Sequence, residues 1–250
     1  MLAASPRAPL ASLSNRENLI SLTMGNKSAL NKVTAPHPPQ SQLNTPLEKV
    51  TIPGTIPLQE LQLIALIGEG GFGSVYSGID NKYGEVAVKI CNIGDSADVE
   101  DVAHEISVHR KLQPRGSFKE GMHVQFYYHI EQPTRSLIVM ELIKGVDLED
   151  YAALRPHGRL EESEARAIAF PFLKAIEYFH SQGVAHLDIK PTNLLIDQNG
   201  YPRLIDYGSS AIFEGSEGLV TEQGGTDNYK APERHEATTD EEFCGPAADM

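Results

Sequence analysis

Residues Val184 to Gly208 read V-A-H-L-D-I-K-P-T-N-L-L-I-D-Q-N-G-Y-P-R-L-I-D-Y-G, and this segment organises the whole chain. It contains two aspartates, Asp188 and Asp206, with Lys190 and Asn193 between them. Apolar runs on both sides of a Gln-Asn-Gly turn predict a short hairpin, which folds the second carboxylate back beside the first. Two acids, an amide and an ammonium facing one spot suit a divalent cation on a polyphosphate, next to a hydroxyl that needs a base.

The composition indicates a globular domain and disfavours a nucleic-acid-binding protein. Apolar residues make up 40% of the 250 residues, and 34 Asp and Glu against 21 Lys and Arg give a net charge of −13. Residues 1–50 carry five basic and two acidic side chains, so the acidity belongs to the rest of the chain. An acidic surface repels nucleic acid, and it fits either plain solvation or a basic protein substrate.

The chain has two cysteines, Cys91 and Cys244, which lie far apart in the sequence. This pattern indicates neither a disulfide framework nor a zinc site. It favours a reducing compartment, so we expect an intracellular protein, cytoplasmic or nuclear. No apolar run approaches the ~20 residues that cross a bilayer, so no membrane span is expected.

A change of composition near residue 55 predicts the domain boundary. Residues 1–55 are rich in Ser, Pro, Asn and Ala and lack apolar periodicity. Such a segment cannot bury enough apolar surface to offset the entropy lost on ordering. We therefore expect a disordered N-terminal tail there and one folded domain over residues 56–250.

A glycine-rich segment opens the folded part. Gly68, Gly70 and Gly73 form G-x-G-x-x-G, a pattern that nucleotide-binding Rossmann domains share. In a Rossmann domain the pattern opens a helix, whereas here Ser74-Val75-Tyr76 continues as a strand towards V-A-V-K, which ends at Lys89. Strand, glycine turn, strand and lysine place backbone N–H groups and a fixed positive charge where a polyphosphate can bind.

One amphipathic helix is predicted from Asp98 to Leu112, and it carries Glu105. The apolar face of this helix comprises Val99, Val102, Ile106 and His109. Two strands are expected to follow, Val124 to Ile130 and Ser136 to Ile143, joined by a turn around Pro133.

A second amphipathic helix is predicted from Glu162 to His180, and Gly183 ends it. Pro171 lies inside this helix and removes one backbone donor. The apolar positions of the helix are Ala165, Ile168, Phe172, Leu173, Ile176 and Phe179.

Five motifs, in one order along the chain, resemble those of the protein kinases. His186-Leu187-Asp188 with Asn193 matches the catalytic loop H-R-D-x-x-x-x-N, and Asp206-Tyr207-Gly208 matches the metal-binding D-F-G. Ala231-Pro232-Glu233 matches A-P-E, and the glycine turn and V-A-V-K complete the set.

The resemblance implies an α+β fold of two lobes, a β-rich N-lobe at residues 56–141 and a helical C-lobe at residues 142–250. Lys190 together with Gly225-Thr226 is similar to the serine/threonine subclass. Because the chain stops at Met250, soon after the A-P-E motif, we expect an incomplete C-lobe and a fragment or truncated product.

The resemblance also implies the reaction. The chain is expected to be an ATP-dependent protein serine/threonine kinase that transfers the γ-phosphoryl group of Mg-ATP to a Ser or Thr hydroxyl of a protein substrate. ATP and Mg²⁺ are the implied cofactors. Asp188 is the implied base, and Asn193 and Asp206 are the implied magnesium ligands. Lys190 neutralises the transferred group, and Thr226 is placed with these residues in the catalytic set.

The implied nucleotide site spans both lobes. Lys89 contacts the α- and β-phosphates and pairs with Glu105, while Met140 is the gatekeeper. The backbones of Glu141 and Ile143 bind the base, and Asp147 lies where an acid meets the ribose. The complete set is Ile67, Gly68, Gly70, Gly73, Val75, Ala87, Lys89, Glu105, Met140, Glu141, Ile143, Asp147 and Leu195.

Two residues depart from the family pattern, Leu187 in place of Arg and Tyr207 in place of Phe. The missing arginine normally clamps a phosphate on the activation segment, so control by that route is not expected. The alternative hypothesis is a non-catalytic kinase fragment that acts as a binding or regulatory module, or a pseudokinase. The sequence leaves the protein substrate and the oligomeric state open.

Overall fold

A six-stranded antiparallel sheet forms the first half of the fold. The computed structural model describes residues 47–52, 59–71, 73–113, 123–222, 224–236 and 241–250. The sheet has the order β1-β2-β3-β4-β6-β5. Its strands are β1 Glu48–Ile52, β2 Gln59–Gly70, β3 Gly73–Asp80, β4 Gly84–Asn92, β5 Phe126–Gln132 and β6 Arg135–Glu141.

The side chains of β4 alternate between two environments, as the period of a strand requires. Val86, Val88 and Ile90 pack into one apolar cluster with residues of β2, β5 and β6. Lys89 is paired in register with Val75 of β3 on one side and with Ile138 of β6 on the other. The lysine therefore projects from the middle of the sheet, on the face opposite the apolar cluster.

Strand β1 lies inside the segment that the sequence predicts as a disordered tail. It pairs antiparallel with β2, with Val50 opposite Leu61. Val50 is buried in the cluster of β4, and Glu48 forms an ion pair with Arg135. A strand of five residues is too short to be recognised from its hydrophobic periodicity. Its residues are ordered by pairing with the edge of β2. The sheet thus begins before residue 56, while residues 1–46 lie outside the described part of the chain.

Helix α1, Ser96–Lys111, packs on the sheet and begins two residues before its predicted start. Asp95 is the N-cap: its carboxylate accepts from the N–H groups of Ala97 and Asp98, and the Asp98 carboxylate accepts from the Asp95 N–H. Of the predicted apolar face, Val99, in the first turn of the helix, is 46% exposed, so that assignment was wrong. The other members are buried, namely Val102, Ile106 and His109.

The second half of the fold is built from helices and short antiparallel pairs. Strands β7, β9 and β10 form a three-stranded sheet in the order β10-β9-β7, while β8 pairs with β11 and β12 with β13. These strands are β7 Gly145–Asp147, β8 Val184–Ala185, β9 Leu194–Asp197, β10 Pro202–Leu204, β11 Ala211–Ile212, β12 Leu219–Val220 and β13 Phe243–Cys244. The helices are α2 Leu148–Ala153, α3 Glu162–Ser181, α4 Pro232–Glu236 and α5 Gly245–Ala248, with 3-10 turns at Pro156–Gly158, Pro191–Asn193 and Asp227–Tyr229.

Helix α3 supplies the apolar core of this half. It contains Pro171 and is followed by Gly183, which has a φ of +69°. Leu173 is 48% exposed and does not belong to the buried face, contrary to the sequence prediction. The core around α3 comprises Ile168, Ile176 and Phe179 with Val184, Leu194, Ile196, Leu204 and Tyr207. The predicted hairpin is confirmed, since β9 and β10 pair antiparallel across the Gln-Asn-Gly turn.

The two-lobed α+β fold is therefore the one expected, a β-rich half followed by a helical half. Among the helices of the described residues, none combines the length and the apolar character needed to cross a bilayer.

Candidate active site

The glycine-rich turn joins two strands, as the sequence predicts, with Gly70 opposite Gly73 in the β2–β3 register. Gly73 has a φ of +129°, and a Cβ there would overlap the Ile90 carbonyl oxygen, so the fold itself demands this glycine. A Cβ on Gly70 would meet nothing within 4 Å, and one on Gly68 only Val75 at 3.8 Å. The fold does not require these two glycines, and they leave open space in which a phosphate can approach the backbone.

Lys89 is 5% exposed and bridges two carboxylates. Its Nζ lies 2.8 Å from both Oε atoms of Glu105 on α1 and 3.0 Å from Oδ1 of Asp206. Burial alone lowers the pKa of Lys89, but the two carboxylates outweigh it and hold the pKa above its ordinary value. The lysine is therefore charged, and it is aimed at the residue that follows the β9–β10 hairpin.

Asp188 is 5% exposed, and its carboxylate is held by three donors. Oδ1 accepts from the Thr226 N–H at 2.9 Å, and Oδ2 accepts from Asn193 Nδ2 at 2.9 Å and Lys190 Nζ at 2.8 Å. Lys190 Nζ also donates to Thr226 Oγ1 at 2.7 Å. Burial raises the pKa of Asp188, but the hydrogen bonds from Lys190 and Thr226 outweigh it, and the pKa lies below its ordinary value. The structure thus brings together the four residues predicted to be catalytic.

Asp249 fixes the backbone of the catalytic loop from behind. Its carboxylate accepts from the N–H groups of His186 and Leu187, each at 2.8 Å, and lies 2.8 Å from His180 Nε2. His186 is fully buried, and its Nε2 lies 3.1 Å from the Ile205 carbonyl oxygen. The partners of Asp249 lie more than sixty residues away in the chain, so no spacing rule connects them and local sequence does not reveal these contacts.

Tyr207 is fully buried between the two halves of the fold. Its ring meets His186 and Phe179 edge-on, with centroid distances of 5.9 and 5.5 Å, and lies 4.6 Å from the ring of His109 on α1. Its hydroxyl donates to the Leu204 carbonyl at 3.1 Å and accepts from the Val124 N–H at 3.0 Å. The fold accommodates a tyrosine at this position because the hydroxyl oxygen, which phenylalanine lacks, has hydrogen-bond partners in the Val124 N–H and the Leu204 carbonyl.

The remaining predicted nucleotide residues occupy the strands and the segment that join the two halves. Ala87 pairs with Met140, and Asp147 pairs with Leu195. The Glu141 N–H donates to the Gln125 carbonyl at 2.8 Å, so any contact of its backbone with a base falls on its carbonyl. Asp147 is engaged as the N-cap of α2. Ile67 is 52% exposed at the rim, and Ile143 lies just beyond the end of β6.

The donor set fits a magnesium ion that is shared with phosphates. Asn193 uses its Nδ2 towards Asp188, which leaves the amide oxygen as the atom that can bind a cation. Asp206 is 34% exposed at its side chain and adds carboxylate oxygens. Within the described residues, no group of three or more His, Cys, Asp or Glu could hold a metal by itself. Mg²⁺ characteristically takes one or two carboxylates and completes its shell with water and phosphate oxygens, so these two ligands suffice.

Comparison with known proteins gives the same family. A family model described as protein kinase domain matches residues 61–250. The chain is 35% identical to CBL-interacting serine/threonine-protein kinase 20 of Arabidopsis thaliana over 187 residues, which cover 72% of this chain and 40% of that protein. It is also 35% identical to CBL-interacting protein kinase 32 of Oryza sativa subsp. japonica over 190 residues, covering 74% of this chain and 41% of that one.

The chain therefore spans about two fifths of the length of the curated relatives it matches. The matched region contains the glycine turn, Lys89, the catalytic loop and Asp206, in the arrangement described above. The family expectation drawn from the five motifs is confirmed, and the chain belongs to the protein kinase family.

Proposed function

We propose that this chain is an active protein serine/threonine kinase that uses ATP and Mg²⁺. The observation that carries the proposal is the double contact of Lys89, with Glu105 on α1 and with Asp206 beyond the hairpin. This contact joins the β-rich half to the catalytic loop region through one charged nitrogen. A module that only bound partners would have no use for this contact, because burying the charges of Lys89 and Glu105 carries a desolvation penalty.

The nucleotide is held by groups from both halves. The glycine turn offers backbone N–H groups, and Lys89 offers a fixed positive charge to the α- and β-phosphates. Met140, the Glu141 carbonyl and Ile143 line the edge where the base would lie. The apolar residues of the predicted nucleotide set complete the pocket, namely Ile67, Val75, Ala87 and Leu195. Asn193 and Asp206 would hold Mg²⁺, which would supply positive charge to the phosphates.

Asp188 orients the acceptor hydroxyl and takes its proton. With its pKa below the ordinary value, this carboxylate is ionised at neutral pH but is a weak base towards an unreacted alcohol. Its main contribution is therefore alignment, and the proton moves to it as the new O–P bond forms and the bond from the γ-phosphorus to the leaving oxygen breaks. Lys190, 2.8 Å from Asp188, supplies positive charge next to the transferred group.

The acceptor is proposed to be a Ser or Thr hydroxyl of a protein. Support comes from Lys190 and Thr226, which contact one another and Asp188, and from relatives that are named serine/threonine-protein kinases. We also propose that the chain acts inside the cell, in the cytoplasm or nucleus. Both cysteines are free, and burial raises the pKa of Cys91 to about 11, which keeps it a thiol. A fluorescent fusion in cells tests the location.

The test of the function uses Asp188→Asn and, as a matched control, Asp101→Asn on the exposed side of α1. We expect wild type and Asp101→Asn to transfer phosphate to a generic basic protein, and Asp188→Asn to lose transfer by at least about a hundredfold. All three should show a rise in melting temperature with Mg-ATP, because the substituted residue does not hold the nucleotide. Equal transfer by Asp188→Asn would reject Asp188 as the base, and absence of transfer from wild type would reject the activity.

A further inference from the structure

The side chain of Leu187 belongs to an apolar cluster. Leu187 is 3% exposed and packs with Ala185, Ala211, Val220 and Phe243. Its side chain cannot reach a phosphate, and it offers no hydrogen-bond donor. The backbone there is in the left-handed region, with a φ of +62°. The contact between the catalytic loop and the activation segment, the residues between Gly208 and the A-P-E motif, must therefore depend on a residue other than Leu187.

Arg234 of α4 occupies the space where the two segments meet. It is 4% exposed, and its Nη1 donates to the Leu187 carbonyl at 2.7 Å. Its Nη2 donates to the Gly224 carbonyl and lies 3.5 Å from the Glu222 carbonyl. The guanidinium also stacks over Phe243, with 5.2 Å between its central carbon and the ring centroid. Within the described residues it forms no ion pair, so every acceptor it uses is a main-chain carbonyl.

The two carbonyls need a donor between them. The Leu187 and Gly224 oxygens both accept from the guanidinium, so its loss would remove the donor that they share. Gly225 allows this approach: its φ is +95°, and a Cβ there would lie 2.5 Å from the Leu187 oxygen and 3.4 Å from Arg234 Nη1. A planar fork of donors fits the gap, whereas the single nitrogen of a lysine fits it poorly.

The contact reaches the proposed base by one short step. Leu187 immediately precedes Asp188. Asp249 holds the Leu187 N–H, and Arg234 holds the Leu187 carbonyl, which belongs to the peptide unit that links Leu187 to Asp188. Gly224 lies two residues before Thr226, whose N–H donates to Asp188 Oδ1 at 2.9 Å. Arg234 thus sets both the backbone that carries Asp188 and the segment that supplies one of its donors.

We propose that Arg234 is a positioning residue that holds the activation segment on the catalytic loop in place of a phosphate bound by an arginine at position 187. Asp188 is then aligned by a side chain of the same domain, and the site is assembled without phosphorylation of the activation segment. The catalytic consequence rests on the kinase activity proposed above, whereas the attachment of the segment does not.

The experiment compares Arg234→Met, Arg234→Lys and wild type, with Arg166→Met as the matched control. Arg166 lies on the exposed side of α3, where it pairs with Glu162. We expect Arg234→Met to lower kcat by about a hundredfold, because a small displacement of aligned groups has that effect. KM for ATP should change by less than about twofold, since Arg234 does not touch the nucleotide residues. Arg234→Lys should recover part of kcat, and Arg166→Met should match wild type.

Amide hydrogen exchange gives a readout that is independent of activity. In Arg234→Met, exchange should accelerate at residues 219–222 and 224–226 and stay unchanged in α3. Unchanged exchange at those residues, or acceleration throughout the domain, would overturn the proposal, and so would a kcat equal to that of Arg166→Met. Phosphatase-treated wild type should keep its activity, and its loss would also overturn the proposal. If wild type transfers no phosphate at all, the proposed function fails, while the exchange data still decide whether Arg234 holds the segment.

Discussion

Lys89 Nζ lies 3.0 Å from Asp206 Oδ1, although 117 residues separate the two in the chain. One partner sits in the middle of a sheet strand, and the other follows the hairpin of the helical half. The same ammonium makes two further contacts of 2.8 Å with Glu105. Loss of the lysine therefore affects two carboxylates, one of them almost fully buried, and the consequences can be measured separately as stability and as activity.

Lys89→Met should abolish phosphate transfer and destabilise the domain. Removal of one partner from a buried ion pair leaves Glu105 without its counter-charge, which costs about 3 kcal/mol of the free energy of unfolding. The double variant Lys89→Met/Glu105→Leu should recover most of this stability but none of the activity. Urea unfolding with a transfer assay checks both expectations. A single variant as stable as wild type would contradict the structural part.

Tyr207→Phe should lower the stability of the domain and leave phosphate transfer nearly unchanged. The substitution removes the hydrogen bonds of the hydroxyl with the Val124 N–H and the Leu204 carbonyl in a fully buried place, and each lost hydrogen bond costs about 1 kcal/mol. The ring contacts remain, so transfer should stay within a few-fold of wild type. Tyr229→Phe is the control, because Tyr229 is 52% exposed and should unfold as wild type does. Thermal unfolding of both variants measures the difference.

His109 should make the domain less stable at acidic pH. Burial lowers its pKa to about 3, whereas the unfolded chain has a pKa near 6.5. Between these two pH values the His109 imidazole is protonated in the unfolded chain but not in the folded one. The free energy of unfolding is therefore unaffected by His109 above about pH 6.5 and decreases as the pH falls towards 3. At pH 5 the loss is about 2 kcal/mol.

His109→Phe should flatten this dependence, since phenylalanine takes no proton. The variant should unfold like wild type at pH 8 and be relatively more stable at pH 5. His157→Phe, at an exposed position, is the control for the substitution itself. Denaturant unfolding at a series of pH values measures the slopes. Parallel curves for wild type and His109→Phe would count against the assignment.

Val50→Ala should show that β1 belongs to the folded domain. Val50 is 6% exposed and packs with residues of β2 and β4, so removal of two methyl groups should lower the free energy of unfolding by about 2 kcal/mol. Lys49→Ala is the control. Lys49 is mostly exposed and faces Glu60 at 3.7 Å, and such a surface pair contributes under about 1 kcal/mol. If neither substitution changed the midpoint of urea unfolding, β1 would not contribute to stability.

Sequence patterns predicted correctly the helices, strands and turns that are specified by residues near them in the chain. The strand–glycine–strand arrangement before Lys89, the β9–β10 hairpin and the two long helices all follow from periodicity, turn residues and caps within about twenty residues of sequence. The chemistry of the site was equally accessible, because Asp188, Asn193 and Asp206 lie within one short segment. Their family resemblance also identified Lys89 and Glu105 as a pair, which the structure confirms.

Faces and ends of elements were predicted less well. Val99 and Leu173 fit the helical period and are nevertheless exposed, because periodicity gives the angle of a face and not the extent of the surface that covers it. Strand β1 falls in the segment that composition predicts to be disordered, since its five residues gain their order only from the edge of β2.

The family and the residue types at the site could be predicted from the sequence alone, because each motif consists of neighbours in the chain. Only the tertiary structure decided how those residues are held. Asp249 reaches back to Leu187 across 62 residues, and Arg234 reaches the same residue across 47. Such contacts have no period and no motif. They form because buried backbone N–H and C=O groups must find partners, and the partner is whichever side chain the packed fold brings near.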